Sequence, residues 1–285
     1  MESESEVVRQ VTEQMQRVKD RMSKVEHKIA VMSGKGGVGK SVVTVNLALA
    51  MAQQGYKVGI LDADINGPCV PKMLGIKDQH LKITPDGAIP ASAPLGIKVA
   101  SMDLLLQSEE APVIWEGPVE SSAVWQGAME MSVIREFLSD VAWGKLDYLL
   151  IDLPPGTGNK PSTLVQLIPD LGGAIVVTIP SEVSKIVVKK SITLARELKI
   201  PIIGLIENMS GFTCPECNVE TELFTGGDGK KLSREVDTQV LGKIPFDRRI
   251  GLISGKGMPF MVEHEDAPAA KACMQIAEKI IDYLR

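Results

Sequence analysis

Gly34-Lys35-Gly36-Gly37-Val38-Gly39-Lys40-Ser41 satisfies every fixed position of the pattern G-x-x-x-x-G-K-[ST]. The apolar residues Ile29 to Met32 before it predict a strand, and Lys40 to Gln54 after it, free of Gly and Pro, predict a helix. That strand-to-helix setting is what the pattern requires. Its glycines let backbone N–H groups point inward around phosphate oxygens, and the helix N-terminus adds partial positive charge to the same place. In this reading Lys40 reaches the β and γ phosphates and the Ser41 hydroxyl ligates Mg2+. The bland alternative is a fortuitous glycine-rich turn.

Lys35 completes the run Lys35-Gly36-Gly37-Val38-Gly39-Lys40, which resembles the deviant Walker A family of P-loop ATPases. That family includes the MinD and ParA positioning ATPases, nitrogenase iron protein and the Mrp/ApbC iron-sulfur carriers. The resemblance implies that Lys35 reaches across a nucleotide-sandwich homodimer to the partner's phosphates. Without it, Lys35 reads as a solvated loop lysine.

The 285 residues fit one large α/β domain or two small ones, and 44% hydrophobic residues provide ample core material. A net charge of −5 argues against a dominant nucleic-acid surface. No apolar run is long enough for a membrane span and the acidic N-terminus is no signal peptide, so no membrane role and a cytoplasmic setting are expected. Four cysteines in such a chain are no disulfide framework and remain available for metal or redox chemistry.

Along the chain, Val8, Val11, Met15, Val18, Met22 and Val25 recur at helical spacing and predict an N-terminal amphipathic helix over 1–27, before a P-loop ATPase domain over 28–285. The helix packs on its own domain or meets a partner. A second strand, Lys57 to Leu61, leads into Asp62-Ala63-Asp64, carboxylates placed at a strand's carboxyl end to handle Mg2+ and its waters, or else a turn and helix cap. Gly75 to Ser101, punctuated by Pro85, Pro90 and Pro94, reads as an insertion of small strands and loops. Gly117-Pro118 leads to a helix over Val119 to Val141, closed by Trp143-Gly144; Trp115 and Trp125 read as packing residues. Leu146 to Leu153 is a buried strand, and its Asp152 fits a Walker B carboxylate that holds Mg2+, directly or through water. A strand from Gly173 to Ile179, a helix from Ser184 to Leu198 and a strand from Pro201 to Glu207 follow. Strands alternating with helices predict a mostly parallel central sheet with helices on both faces.

Cys214-Pro215-Glu216-Cys217 lies in a loop around 208–228, between Gly211 and Gly226-Gly227. Two thiolates at this spacing are half of a tetrahedral site, and a four-cysteine set for zinc or a 4Fe-4S cluster needs two more sulfurs. Cys69 lies beside Asp64, and Cys273 falls on an amphipathic C-terminal helix with Ile276, Ala277, Ile280 and Leu284, so neither is a suitable third ligand. A symmetric dimer supplies the missing pair by placing two such loops face to face. On spacing alone, cluster, zinc, redox dithiol and no role all stay open.

Several stretches are similar to the Mrp/ApbC branch, the group with the cytosolic Nbp-type scaffolds. They are Asp62 to Pro68, with Pro71, Met73, Leu74 and Gly75; Asp152 to Gly158; Glu207 to Cys217; Gly242 to Asp247; Gly257 to Phe260; and Ala267 to Ala270. The similarity runs from about Val25 onward. It implies that Asp64 orients the attacking water, that Asp62 supports the metal site, that Asn208 lies near the base, and that Cys214 and Cys217 hold a bridging 4Fe-4S cluster.

Three departures stand out: Val42 where the family has Thr, Asn159 where it has Asp, and no cysteine in the N-terminal segment. The first removes one hydroxyl, a bond of about 0.5–1.5 kcal/mol; the last rules out a second, N-terminal cluster. The expected nucleotide set is therefore Gly34 through Val42 with Asn208, and Lys35, Lys40, Asp64 and Asp152 carry catalysis. Ser41, Asp62 and Asp152 serve Mg2+. The expected activity is a slow ATPase that passes a 4Fe-4S cluster to apo iron-sulfur proteins. A MinD/ParA-like positioning ATPase and a zinc-stapled ATPase are the alternatives.

Overall fold

Apolar runs without alternation belong in strands buried on both faces, and the computed structural model puts them there. It describes residues 2–105, 123–214, 216–217, 219–224, 229–250 and 259–285. In it, β1 (Val25–Ser33), β2 (Val58–Asp62), β7 (Leu146–Asp152) and β8 (Gly173–Thr178) lie at the centre of a nine-stranded sheet. Its order is β10-β9-β8-β1-β7-β2-β6-β5, with β11 (Val240–Phe246) also on β9 (Ile202–Thr213). Among the described residues of this sheet, only the pairings of β5 (Ala91–Ser92) with β6 (Lys98–Ala100) and of β10 (Glu220–Thr221) with β9 are antiparallel. β3 (Lys82–Thr84) and β4 (Gly87–Ile89) form a separate hairpin.

Among the described residues the longer helices are α1 (Glu2–Met22), α2 (Lys40–Gln53), α4 (Ala123–Ser139), α5 (Asn159–Gln166), α6 (Glu182–Glu197) and α9 (Pro268–Leu284). The shorter ones are α3 (Val70–Met73), α7 (Gly229–Glu235) and α8 (Phe260–Glu263). Val43 through Met51 of α2 are all buried, because this helix lies between the sheet and α9. The α9 stripe of Cys273, Ile276, Ala277 and Ile280 is buried in the core. No described helix is long and apolar enough to cross a membrane.

The differences from the sequence pattern have local causes. The helical spacing of Met22 and Val25 runs on past the real end of α1: Val25 opens β1, so the expected junction at 27/28 lies inside a strand. The buried Lys28 ammonium donates to the carbonyls of Met22 (3.4 Å) and Val25 (3.2 Å) and closes that turn. Val18 and Met22 are buried and α1 packs along α4, while Val11 is exposed. The segment read as an insertion contributes β5 and β6 to the main sheet, β6 running parallel to β2. β9 continues six residues beyond Glu207 because β11 pairs with it as far as Phe212. Trp115, Gly117-Pro118, Gly226-Gly227 and Gly257-Met258 lie outside the described residues, as do the side chains of Val8 and Trp125.

Candidate functional site

The carboxyl ends of β1, β7 and β2 meet at one point, since Val31 pairs with Asp152 and Asp152 with Asp62. The phosphate loop leaves β1 there and enters α2 through Gly39, whose φ of 80° is in the left-handed region that favours glycine. No side chain caps α2 and its first turn holds no acid, so its leading N–H groups are left for an anion. Gly34 admits the backbone of Val187 on α6, which a Cβ would meet at 2.8 Å. Lys35, Gly36 and Gly37 are exposed, Val38 is buried, and Ser41 and Val42 are half-buried.

Lys40 is not extended into the open loop. Its Nζ lies 2.6 Å from Asp152 Oδ2, with the lysine 6% exposed and the aspartate fully buried. Ser41 Oγ donates to the same carboxylate at 2.5 Å and Thr44 Oγ1 at 2.7 Å. Thr44 escaped the sequence reading: it stands one helical turn after Lys40 and needs the β1–β7 pairing to reach Asp152. Lys40, Ser41 and Asp152 thus converge, and the donor set suits Mg2+, which is usually held by one or two carboxylates plus substrate phosphates.

Asp62 is held in place by four donors. Its carboxylate accepts from the backbone N–H of Cys69 (3.2 Å), Val70 (3.3 Å) and Asp64 (3.3 Å) and from Ser101 Oγ (3.1 Å). These bonds cap the start of α3 and shape the 63–69 loop, and Ser101 is a second residue that the sequence did not single out. Burial pushes Asp62 up to about 7, with the neighbouring Asp152 charge adding and Lys40 opposing.

Asp64 faces a cavity of about 270 Å3 bounded by Asn66, Glu130, Met131, Pro154 and Pro155. Burial raises its pKa, Lys40 opposes, and Asp152 and Glu130 add. Glu130, on α4 and 6% exposed, accepts from Asn66 Nδ2 at 2.9 Å. It lay in a helix that offered no motif.

Asn208 is inside β9 and not in a turn, and its Nδ2 donates to the Val38 carbonyl at 2.9 Å. Six residues on, the strand delivers Cys214, half-buried, with Cys217 exposed beside it. The Cys214 N–H donates to the Val219 carbonyl at 3.0 Å and closes the loop. Hydrogen bonds from the backbone of Cys217 and Glu216 and from the Cys217 thiol hold the Cys214 thiol below its ordinary value, which favours the thiolate a metal takes. Among the described residues, no group of three or more His, Cys, Asp or Glu is placed to hold a metal ion.

The other thiols differ in kind. Burial pushes Cys273 up to about 12 and Cys69 up to about 11, the latter against a hydrogen bond with Ser41. Maleimide labelling of the metal-free protein near neutral pH, mapped by mass spectrometry, is therefore expected to modify Cys214 and Cys217 about a hundredfold faster than Cys273. Equal rates would show that the loop thiols are no more available than the buried one.

A family model described as ParA: NUBPL iron-transfer P-loop NTPase matches residues 24–281. An iron-sulfur cluster carrier protein of Methanocaldococcus jannaschii is 48% identical over 272 residues, covering 95% of this chain and 90% of the relative. One from Saccharolobus solfataricus is 45% identical over 278 residues, covering 96% and 90%. The solved nucleotide-binding protein from Archaeoglobus fulgidus, in complex with ADP, aligns with a TM-score of 0.72 at 41% identity over 85% of this chain and 91% of that one. The septum site-determining protein MinD from Pyrococcus horikoshii, complexed with Mg-ADP, aligns with a TM-score of 0.63 at 22% identity over 90% and 96%, a likeness of fold alone.

Proposed function

Because this chain belongs to the ParA family of NUBPL-type iron-transfer P-loop NTPases, we propose that it is an ATP-hydrolysing carrier that holds a 4Fe-4S cluster between two copies of itself and passes it to apo iron-sulfur proteins. The observation that carries the reading is the half-site at the end of β9. Cys214 and Cys217 are accessible, the first is biased toward thiolate, and no third donor is at hand among the described residues. A second copy completes the four sulfurs. Accessibility also suits cargo that must leave.

At the other site, Gly34 through Val42 receive the phosphates, Lys40 turns from Asp152 to them, and Lys35, exposed, acts on the partner's nucleotide. Ser41 and Asp152 would hold Mg2+, which neutralises phosphate charge when bound. Asp62 keeps the 63–69 loop in shape, and Asp64 orients the attacking water. A cytoplasmic setting belongs to the same proposal. A positioning ATPase calls for a membrane-seeking C-terminal helix or a basic face for DNA; the apolar stripe of α9 is buried and the net charge is −5.

Anaerobic reconstitution with iron and sulfide tests the carrier. Wild type is expected to gain about four irons and four sulfides per dimer, and the Cys214→Ala/Cys217→Ala variant none. Zinc uptake without iron, or equal iron in both proteins, overturns it.

A further inference from the structure

The carbonyl of Val38 and the N–H of Gly39 are two ends of one planar peptide unit. Asn208 grips the carbonyl end at 2.9 Å from a position only 5% exposed. The N–H end belongs to the loop whose amides surround phosphate. The approach is close enough that a Cβ on Gly39 would strike Asn208 Nδ2, and would also meet Met209 Cε at 3.6 Å. Asn208 thus bears directly on the residue that opens α2, while Met209 stands at no more than ordinary packing distance from that imagined Cβ.

Met209 is itself unusual. Its φ is 52°, in the left-handed region, although it is neither glycine nor in a turn but within β9. The pairing with β11 is irregular over the same stretch, between Asn208↔Ile244 and Phe212↔Phe246. Upstream, just after another register shift opposite Leu205 and Ile206, β9 pairs on both sides and Glu207 meets Lys243 at 2.7 Å. Downstream, Phe212 rests on Phe246, ring centroids 6.3 Å apart, and the chain reaches Cys214 two residues later. A strained residue held between a ligand-facing contact and a second site is where a conformational link is expected.

We propose that Asn208 is a positioning residue that aims the Gly39 N–H at bound phosphate and, through Met209 on the same strand, ties the state of the phosphate loop to the Cys214–Cys217 pair. A phosphate drawing on the N–H turns the peptide plane, and the carbonyl moves against the Asn208 amide. Met209 then transmits the load to the strand segment that ends at the cysteines. The inference rests on the reading that the loop takes nucleotide and the pair takes a metal cargo, but its test uses metal-free protein and can fail separately.

Alkylation rates of Cys214 and Cys217 are measured by mass-spectrometric mapping in the full-length protein, without nucleotide and with saturating Mg-ATP or its non-hydrolysable imido analogue. Wild type is expected to change at least about threefold on nucleotide addition. Asn208→Ala is expected to bind nucleotide about tenfold more weakly, as loss of one orienting hydrogen bond implies, and to show no rate change even when saturated. Met209→Gly, which removes the strain but keeps the Asn208 bond, is expected to keep its nucleotide affinity and lose most of the change. Wild-type rates indifferent to nucleotide overturn the proposal, as does a wild-type response in saturated Asn208→Ala or in Met209→Gly. Iron reconstitution of the same variants reads the carrier proposal independently: cluster binding with no nucleotide response sinks the link and leaves the carrier standing.

Discussion

Lys40→Ala is expected to lower ATP affinity by at least about a hundredfold and to destabilise the nucleotide-free protein by about 3–5 kcal/mol. The first effect follows from lost charge-assisted bonds to phosphate, each worth about 1.5–3 kcal/mol. The second follows from the Lys40–Asp152 pair. Its ammonium compensates Asp152, a carboxylate with no exposure whose other donors are the Ser41 and Thr44 hydroxyls. Removing one partner of such a pair leaves a buried charge unanswered, at a cost of about 3–5 kcal/mol. The double variant Lys40→Ala/Asp152→Asn carries no such charge and should recover much of the stability while still failing to bind ATP. Urea unfolding followed by circular dichroism, with equilibrium binding of a fluorescent ATP analogue, reads both quantities. Equal unfolding midpoints for wild type and Lys40→Ala would show that the pair contributes nothing to the empty state.

The phosphate loop was legible because its chemistry is local: eight consecutive residues, with glycine where φ is positive and a helix directly behind. The central strands were legible because they are apolar on both faces. What the pattern could not reveal depends on distant pairings. Thr44 and Ser101 carry no signature of their own. Each becomes part of the site only when β1, β7, β2 and β6 align their carboxyl ends and bring a hydroxyl to Asp152 or Asp62. Asp62 sits at a strand's end beside Asp64, a place that suits support of a metal site. The competing structural reading, a turn and helix cap, describes its bonds to the Cys69 and Val70 amides. The strand expected over Pro201 to Glu207 stops well short of the cysteines, yet β11 pairs with β9 as far as Phe212 and the strand runs on to Thr213. That continuity puts Asn208 on the strand whose end, Thr213, directly precedes Cys214, a relation invisible to motif spacing.

Removal of divalent cations should reverse the order in which wild type and Asp152→Asn bind ATP. With Mg2+ present, wild type is expected to bind about tenfold or more tightly than the variant, since Asp152 is the carboxylate best placed beside Ser41 to hold the ion. With EDTA the balance changes sign. Asp62, Asp64 and Asp152 already gather around Lys40, with Glu130 acting on Asp64, and an arriving polyphosphate adds more negative charge. If Lys40 stays with Asp152, the phosphates meet bare carboxylates across a medium of reduced dielectric. If it turns to the phosphates, Asp152 is left as a buried charge without a counterion. Wild type is caught either way and should lose about a hundredfold in affinity. Asp152→Asn holds a neutral amide in the same place, so Lys40 is released at little cost, and in EDTA the variant is expected to bind more tightly than wild type. Titrations of the fluorescent analogue with and without Mg2+ decide the matter. A variant weaker than wild type in both conditions would mean that Asp152 does not restrain Lys40, and the Lys40–Asp152 pair would lose its role as the latch that nucleotide and metal must open together.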